Sequence, residues 1–400
     1  MRTLTAIMAA ALAILPTAPG AAGAPPDDLS DDPLDRGALL ALPSVYRVDV
    51  TLRVDALRRG DGHRIPLPAQ ARELNERGTA FAVAPGGWLV TAAHVAAPDD
   101  GTAARLAYQA KLALEGKPHS DAVAAEYVDE AGVTPVGARV TRLVVRQADA
   151  GQGAAAARTY MPTRVVPSDR ADLALLRIRA PGAPALALAE SASIGTPVAS
   201  VGFGAGSAFA EPARGDLEPA VRRGVIARTG IIDEDEPTAR PGMLVTIPLE
   251  SGDSGAPVVD ADGAARGVAV IRTADGGIAE RATEVRQLLA TEGVEAAPGR
   301  SAQLFRGGMA AFWNLDLAAA QRGLAAAERA FPDHALAGLE ARRARELAGA
   351  DFTLVGGRRR QGFLLALGAL AVIAAAACGL GLARQGGGGR GSLGTPTERG

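Results

Sequence analysis

Gly252-Asp253-Ser254-Gly255-Ala256-Pro257 decides how this 400-residue chain is read. Small residues packed around one serine are what a backbone needs to hold out a hydroxyl nucleophile beside bare amide donors. Glycine at 252 has access to positive φ, which turns its own N–H outward, so that the amides of Gly252 and Ser254 converge on one developing oxyanion. Gly255 and Pro257 fix how the chain leaves the turn. The same residue types also populate ordinary turns, so the hexapeptide acquires meaning only through partners elsewhere in the chain.

Two segments supply them. Gly78-Thr79-Ala80-Phe81-Ala82-Val83-Ala84, the turn Pro85-Gly86-Gly87 and the run Trp88-Leu89-Val90 read as a hairpin that delivers Thr91-Ala92-Ala93-His94 at its end. Ala171-Asp172-Leu173-Ala174-Leu175-Leu176-Arg177-Ile178 places a lone carboxylate at the head of an apolar strand. Burial there is costly without a hydrogen-bond partner, and a histidine is such a partner. Separately, His94 reads as a satisfied core or capping histidine and Asp172 as a strand-start turn residue; jointly they read as a catalytic constellation.

With these residues in hand, the chain resembles the chymotrypsin-like, or trypsin-like, serine peptidases, in particular the bacterial branch that includes the HtrA (Deg) proteases. The order His94, Asp172, Ser254 is that family's order, and other serine-hydrolase folds use a different one. The segment from Val258 to Val270 is similar to the family's strand, tight turn and returning strand that wall the specificity pocket. The resemblance covers roughly residues 40–295. It implies a mostly β fold of two antiparallel six-stranded β-barrels, the chymotrypsin-like fold, over residues 37–300. It also implies peptide-bond hydrolysis, with Ser254 as nucleophile, His94 as general base and then acid, Asp172 orienting the imidazole, and the amides of Gly252 and Ser254 as oxyanion hole.

Departures from the family pattern carry information too. No Ile-Val-Gly-Gly activation sequence stands near the start of the domain, so a newly cut N-terminus is not the expected partner of Asp253. Ala256 replaces a glycine common in the motif. The family's pocket-base residue falls at Pro248, where no carboxylate stands, and Leu249 with Ala269 suggest a small apolar specificity pocket, with Glu250 close by. Residues 101–165 read as an insertion: a short helix over 103–116, strands over 133–145 and a loop over 149–154. Such an insertion either covers the active site or extends the first barrel. The family's usual PDZ domain finds no room after the peptidase segment.

Composition narrows the function classes. A net charge of -2 shows no basic excess that would mark a nucleic-acid partner. The single cysteine, Cys378, excludes an intrachain disulfide. His63, His94, His119 and His334 lie far apart and outside metal-ligand spacings, so neither a metal nor an organic cofactor is expected.

Both ends of the chain bear on location. Residues 1–24 have the layout of a secretory signal peptide, with Arg2, an apolar run and small residues ahead of Pro25. Residues 25–36 read as a solvated linker. Residues 309–350 are alanine-rich with apolar residues at helical spacing, Phe312, Leu315, Leu317, Leu324, Ala327 and Phe331 on one face and a second helix opening at Pro332-Asp333. This reads as a helical hairpin or stalk, or as one tetratricopeptide-like pair that takes a protein partner. Within residues 362–383, an uncharged apolar stretch of about 20 residues is long enough for roughly 30 Å of hydrocarbon, so one transmembrane helix is expected. Residues 384–400 read as a disordered tail. Arg358-Arg359-Arg360 ahead of the span runs against the positive-inside tendency. The export signal nevertheless places the peptidase domain outside the cytoplasm, in a single-pass protein of the cell membrane that acts on protein or peptide substrates. Two other classes fit the same residues: a membrane-tethered binding protein with vestigial catalysis, and an esterase using the same triad.

Overall fold

The computed structural model describes residues 30–147, 158–204, 217–231 and 241–349. The chain divides into two compact units, residues 1–341 and 342–400. Of the second, the described part is residues 342–349, the end of the last helix. The expected signal peptide, the 149–154 loop, the membrane span and the glycine-rich tail lie outside the described residues. Among those that are described, no helix is long and apolar enough to cross a membrane.

The described chain opens on helix α1 (Pro33–Ala41), inside the segment read as linker. Asp32 accepts the Leu34 amide at 2.9 Å, and Pro33 takes a first-turn position where a missing N–H costs nothing. Leu34, Ala38, Leu39 and Ala41 are then buried, which turns an acidic, proline-containing stretch into a docked helix.

The first half of the molecule holds strands β1 (Val45–Arg53), β2 (Ala56–Arg58), β3 (Arg64–Pro66), β4 (Glu73–Ala84) and β5 (Trp88–Thr91). Helices α2 (Ala93–Ala96), α3 (Asp100–Leu114) and α4 (Asp121–Glu130) follow, then β6 (Thr134–Val136), β7 (Arg139–Gln147), β8 (Thr159–Tyr160), β9 (Arg164–Pro167) and β10 (Ala174–Arg177). The expected first six-stranded barrel is instead an open seven-stranded sheet in the order β8-β7-β1-β4-β5-β10-β9. Its end strands are poor candidates for closure, because β8 has two residues and Pro162 and Pro167 supply no amide donor to a ladder. Side chains of the segment after β10, Ile178, Ala180, Ala183 and Ala185, join Val48, Val50, Ala80 and Leu89 in the core beneath the sheet.

The insertion packs onto this half and extends it. Helix α3 covers the expected helical stretch, capped by Asp99 on the Thr102 amide at 2.8 Å. Helix α4, unanticipated, is capped by Ser120. Ala103, Ala104, Ala107 and Ala110 pack with Leu52, Leu57, Leu67 and Leu74 into a second small core, over which the separate sheet β3-β2-β6 folds. The pattern over 133–145 appears as β6 and β7.

The second half forms the expected closed barrel of six strands, β11 (Pro197–Gly202), β12 (Ala220–Ile231), β13 (Pro241–Val245), β14 (Pro257–Val259), β15 (Ala265–Thr273) and β16 (Gly276–Arg281), in the order β11-β12-β13-β16-β15-β14. Val198, Ile226, Met243, Val245, Val258 and Ala279 fill it.

Four helices follow: α5 (Ala282–Thr291), α6 (Arg300–Trp313), α7 (Leu317–Ala330) and α8 (Ala337–Gly349). The face read as continuous from Phe312 to Phe331 is divided between α6 and α7. Leu315, expected to be buried, lies in the intervening turn at φ 63° and is 60% exposed. Asp316 then caps α7 through the Ala319 amide at 3.0 Å. Helices α6 and α7 approach closely at two glycines, since a Cβ on Gly323 would stand 3.0 Å from the Gly308 Cα.

Candidate active site

His94 sits on α2, a single helical turn that follows directly from β5, so the hairpin read from the sequence does deliver it to the sheet's end. Asp172 lies in the turn between β9 and β10 and meets His94 twice. Its Oδ2 accepts from the imidazole Nδ1 at 2.6 Å, and its Oδ1 accepts the His94 backbone amide at 3.0 Å. The Asp172 carbonyl also accepts the Ala93 amide at 3.2 Å. Donation from Nδ1 to a carboxylate leaves the Nε2 lone pair to act as a base. Both side chains are about a quarter exposed, at 28% and 22%, so the imidazole edge is open to an incoming substrate.

Ser254 lies in the turn before β14, held between the two halves of the molecule. Its carbonyl accepts the Thr79 amide of β4 at 2.8 Å, while the amide of Gly255 donates to the Ala269 carbonyl of β15 at 2.7 Å. The Ser254 hydroxyl donates to the Val270 carbonyl at 3.4 Å, and no hydrogen bond joins it to His94 among the described residues. Gly252 is at φ 99°, and a Cβ there would stand 2.5 Å from the Phe203 carbonyl oxygen, so only glycine fits the turn. The amides of Gly252 and Ser254 donate to no acceptor among the described residues, whereas those of the flanking Asp253 and Gly255 are engaged. Both amides are thus available to an acceptor that enters beside Ser254.

Three supporting residues were not legible in the sequence. Thr79 ties the turn to its surroundings: its hydroxyl donates to the Gly252 carbonyl at 2.8 Å and accepts the Phe203 amide at 3.0 Å. Glu280 of β16, buried, accepts the Asp172 amide at 3.1 Å. Arg222 of β12 supplies the counter-ion of Asp253. The buried Asp253 carboxylate receives the Arg222 guanidinium at 3.0 Å, the Gly204 amide at 2.9 Å and the Glu250 amide at 2.9 Å. Arg222 further donates to the Gly204 carbonyl at 2.6 Å and to Glu250 at 2.7 Å. Burial pushes the Asp253 carboxyl above its ordinary range, and Arg222 pulls it back. Apart from the Glu250 amide on Asp253, these contacts join residues remote in sequence, so no local pattern announces them.

At the expected specificity pocket, Leu249 and Ala269 are both buried in the barrel core. A Cβ on Gly277 would stand 2.2 Å from Leu249 Cδ1, so the leucine occupies the space beside that strand. Pro248 is exposed, and Glu250 is committed to Arg222. No group of three or more His, Cys, Asp or Glu side chains is arranged to hold a metal ion among the described residues.

Residues 78–268 match the trypsin-like peptidase domain. The matched segment contains His94, Asp172 and Ser254, and the match supports a serine protease, a hydrolase. No curated protein matches the sequence. Among solved structures, the Rv3671c protease from M. tuberculosis in its active form is 19% identical, with 72% of this chain and 96% of that chain covered and a TM-score of 0.40. The HtrA-type protease AlgW with a decapeptide is 20% identical, with 64% of this chain and 67% of that chain covered and a TM-score of 0.40.

Proposed function

We propose that this chain is a serine endopeptidase that cleaves extracytoplasmic proteins through His94, Asp172 and Ser254 and an acyl-enzyme intermediate. The observation that carries the reading is the double grip of Asp172 on His94, at the ring nitrogen and at the backbone amide, which fixes both tautomer and orientation. Once a substrate carbonyl enters, the Ser254 hydroxyl leaves the Val270 carbonyl for Nε2 and attacks. The amides of Gly252 and Ser254 receive the oxyanion, a contribution of about 2.7 to 4 kcal/mol per donor in comparable sites. The imidazolium, stabilised by Asp172, returns its proton to the leaving amine. With Leu249 packed beside Gly277 and no carboxylate at Pro248, the acyl-side pocket takes small apolar residues.

Labelling of the full chain with a fluorophosphonate probe tests the assignment. We expect covalent modification of the wild type, none of Ser254→Ala, and a fall in kcat of about 10⁴ to 10⁶ in that variant. An unlabelled wild type sinks the reading. The hydrogen bond from Ser254 to the Val270 carbonyl favours one alternative, a binding protein on the same scaffold with vestigial catalysis, and that is the outcome an unlabelled wild type would select.

Membrane anchoring belongs to the same proposal. It is supported by the uncharged stretch within residues 362–383 and by the export-signal layout of residues 1–24. Protease added to spheroplasts is expected to digest the 37–300 domain; complete protection of that domain would refute the orientation.

A further inference from the structure

Glu76 on β4 stands outside the triad, and its position relative to the cleft follows from the strand's alternation. Two residues along the same strand and on the same face is Gly78, about 7 Å away at the rise of a β-strand. A Cβ on Gly78 would meet Val95 Cγ1 at 2.7 Å and the Ser254 carbonyl oxygen at 3.0 Å. That face of β4 therefore runs along α2, which carries His94 beside Val95, and ends at the nucleophile. Asn75 and Arg77 belong to the opposite face, where they engage Thr51 and Asp49. Glu76 is half-buried, paired across the ladder with the buried Val50, and its carboxylate makes no hydrogen bond or ion pair among the described residues. Arg105 of the insertion, whose charge acts on Glu76, makes its ion pair with Asp121 at 3.1 Å.

Which part of a substrate passes this carboxylate is set by the direction of the reaction. The acyl portion lies with the second barrel, where the Gly252 and Ser254 amides and strand β15 surround the serine. The departing amine receives its proton from His94, so the segment that leaves lies on the imidazole's other side, against β4 and α2. A carboxylate half out of water, beside a departing peptide and in ion-pair contact with no cation among the described residues, is a receptor for a cationic side chain. Burial holds its carboxyl up at about 7, with His94 the foremost charge pulling it down, so a bound cation also draws the group into its charged form.

We propose that Glu76 selects lysine or arginine within the first two residues after the scissile bond, making basic segments of proteins the preferred substrates of this site. The inference rests on the serine-peptidase reading above and adds to it a leaving-side specificity.

Acyl transfer tests it without a known natural substrate. The full chain is acylated with p-nitrophenyl acetate: the ester C–O bond breaks, p-nitrophenolate leaves, and the acetyl group joins Ser254 Oγ. The acyl-enzyme is then resolved by water or by an added amine, argininamide or leucinamide. The amine nitrogen bonds to the acetyl carbon, the Ser254 ester breaks, and the amine proton passes through His94 to Ser254. We expect the wild type to favour argininamide over leucinamide by on the order of tenfold, the worth of one charge-assisted hydrogen bond. Glu76→Gln should bring the ratio close to one, and the ratio is internal to each variant, so altered acylation does not disturb it. Should Glu76→Gln fail to fold, the same preference in the wild type must collapse with rising salt. A wild-type ratio near one, a ratio unchanged in Glu76→Gln, or salt-insensitivity overturns the proposal. Failure of both the phenolate burst and fluorophosphonate labelling is distinct from these results: it removes the peptidase reading, and this inference with it.

Discussion

Arg222 shows how a single side chain can hold the whole turn around Ser254 in place. Chain reversal at Gly252 and Ser254 leaves the intervening Asp253 pointing into the protein, and an isolated carboxylate there would be costly. Arg222 converts that cost into an anchor that also fixes Gly204 and Glu250. Removing one partner of a buried ion pair leaves the other charge uncompensated, typically at 3 to 5 kcal/mol. Arg222→Met is therefore expected to lower unfolding free energy by about 3 kcal/mol or more in denaturant titration. Its loss of fluorophosphonate labelling should also exceed what the unfolded fraction explains. Labelling in proportion to folded protein would show that the pair stabilises the barrel without shaping the oxyanion site.

At the level of elements, the parts that could be read in advance are those encoded locally. The alternating run before Pro85-Gly86-Gly87 gave β4 and β5, and with them the placement of His94. Asp172 stood out because a carboxylate heads an apolar strand. Helix α1 carries a local capping signal in Asp32-Pro33, but its burial depends on a docking surface far along the chain, at β11 and β14. Closure of the first barrel is not encoded locally: it turns on which strand ends pair, and Pro162 and Pro167 bear on that only once the strand order is set. In the helical tail Phe312, Leu317, Leu324, Ala327 and Phe331 are buried as the periodicity implies, whereas Leu315 leaves the face because its left-handed backbone breaks the helix there. Two glycines of that tail separate propensity from packing. Gly307 has open space around it, so Gly307→Ala should stabilise by about 0.5 to 1 kcal/mol through backbone entropy. Gly323 faces the Gly308 backbone, so Gly323→Leu should cost about 1 to 3 kcal/mol by forcing α6 and α7 apart. Equal denaturant midpoints for the two variants would mean that the crossing is looser than described.

For the molecule as a whole, stability should depend on pH through two buried groups of the helical region with opposite signs. His334 packs on Phe305 and accepts the Ala337 amide at Nδ1, and burial lowers its pKa from 6.5 to about 3. Its neutral form is native, so stability is lost as pH falls below 6.5, where the unfolded chain takes a proton that the folded one refuses. Burial raises the Glu340 carboxyl from 4.5 to about 7. The folded state holds that proton longer, so the contribution is full below 4.5 and is lost as pH rises towards 7. His334→Asn, which keeps an acceptor for the Ala337 amide, should flatten the acid side of a Tm-against-pH profile, and Glu340→Gln should flatten the other. Superimposable profiles for all three proteins would refute this account.

The pairing of Asp253 with an internal arginine has a physiological corollary. If the chain is the peptidase proposed above, Asp253 already has its partner in Arg222 and needs no cut at the chain's beginning, so activity is constitutive or triggered by a partner. Under that proposal, restraint falls to geography and supply: to where the molecule is delivered and to which partners or exposed segments come within its reach.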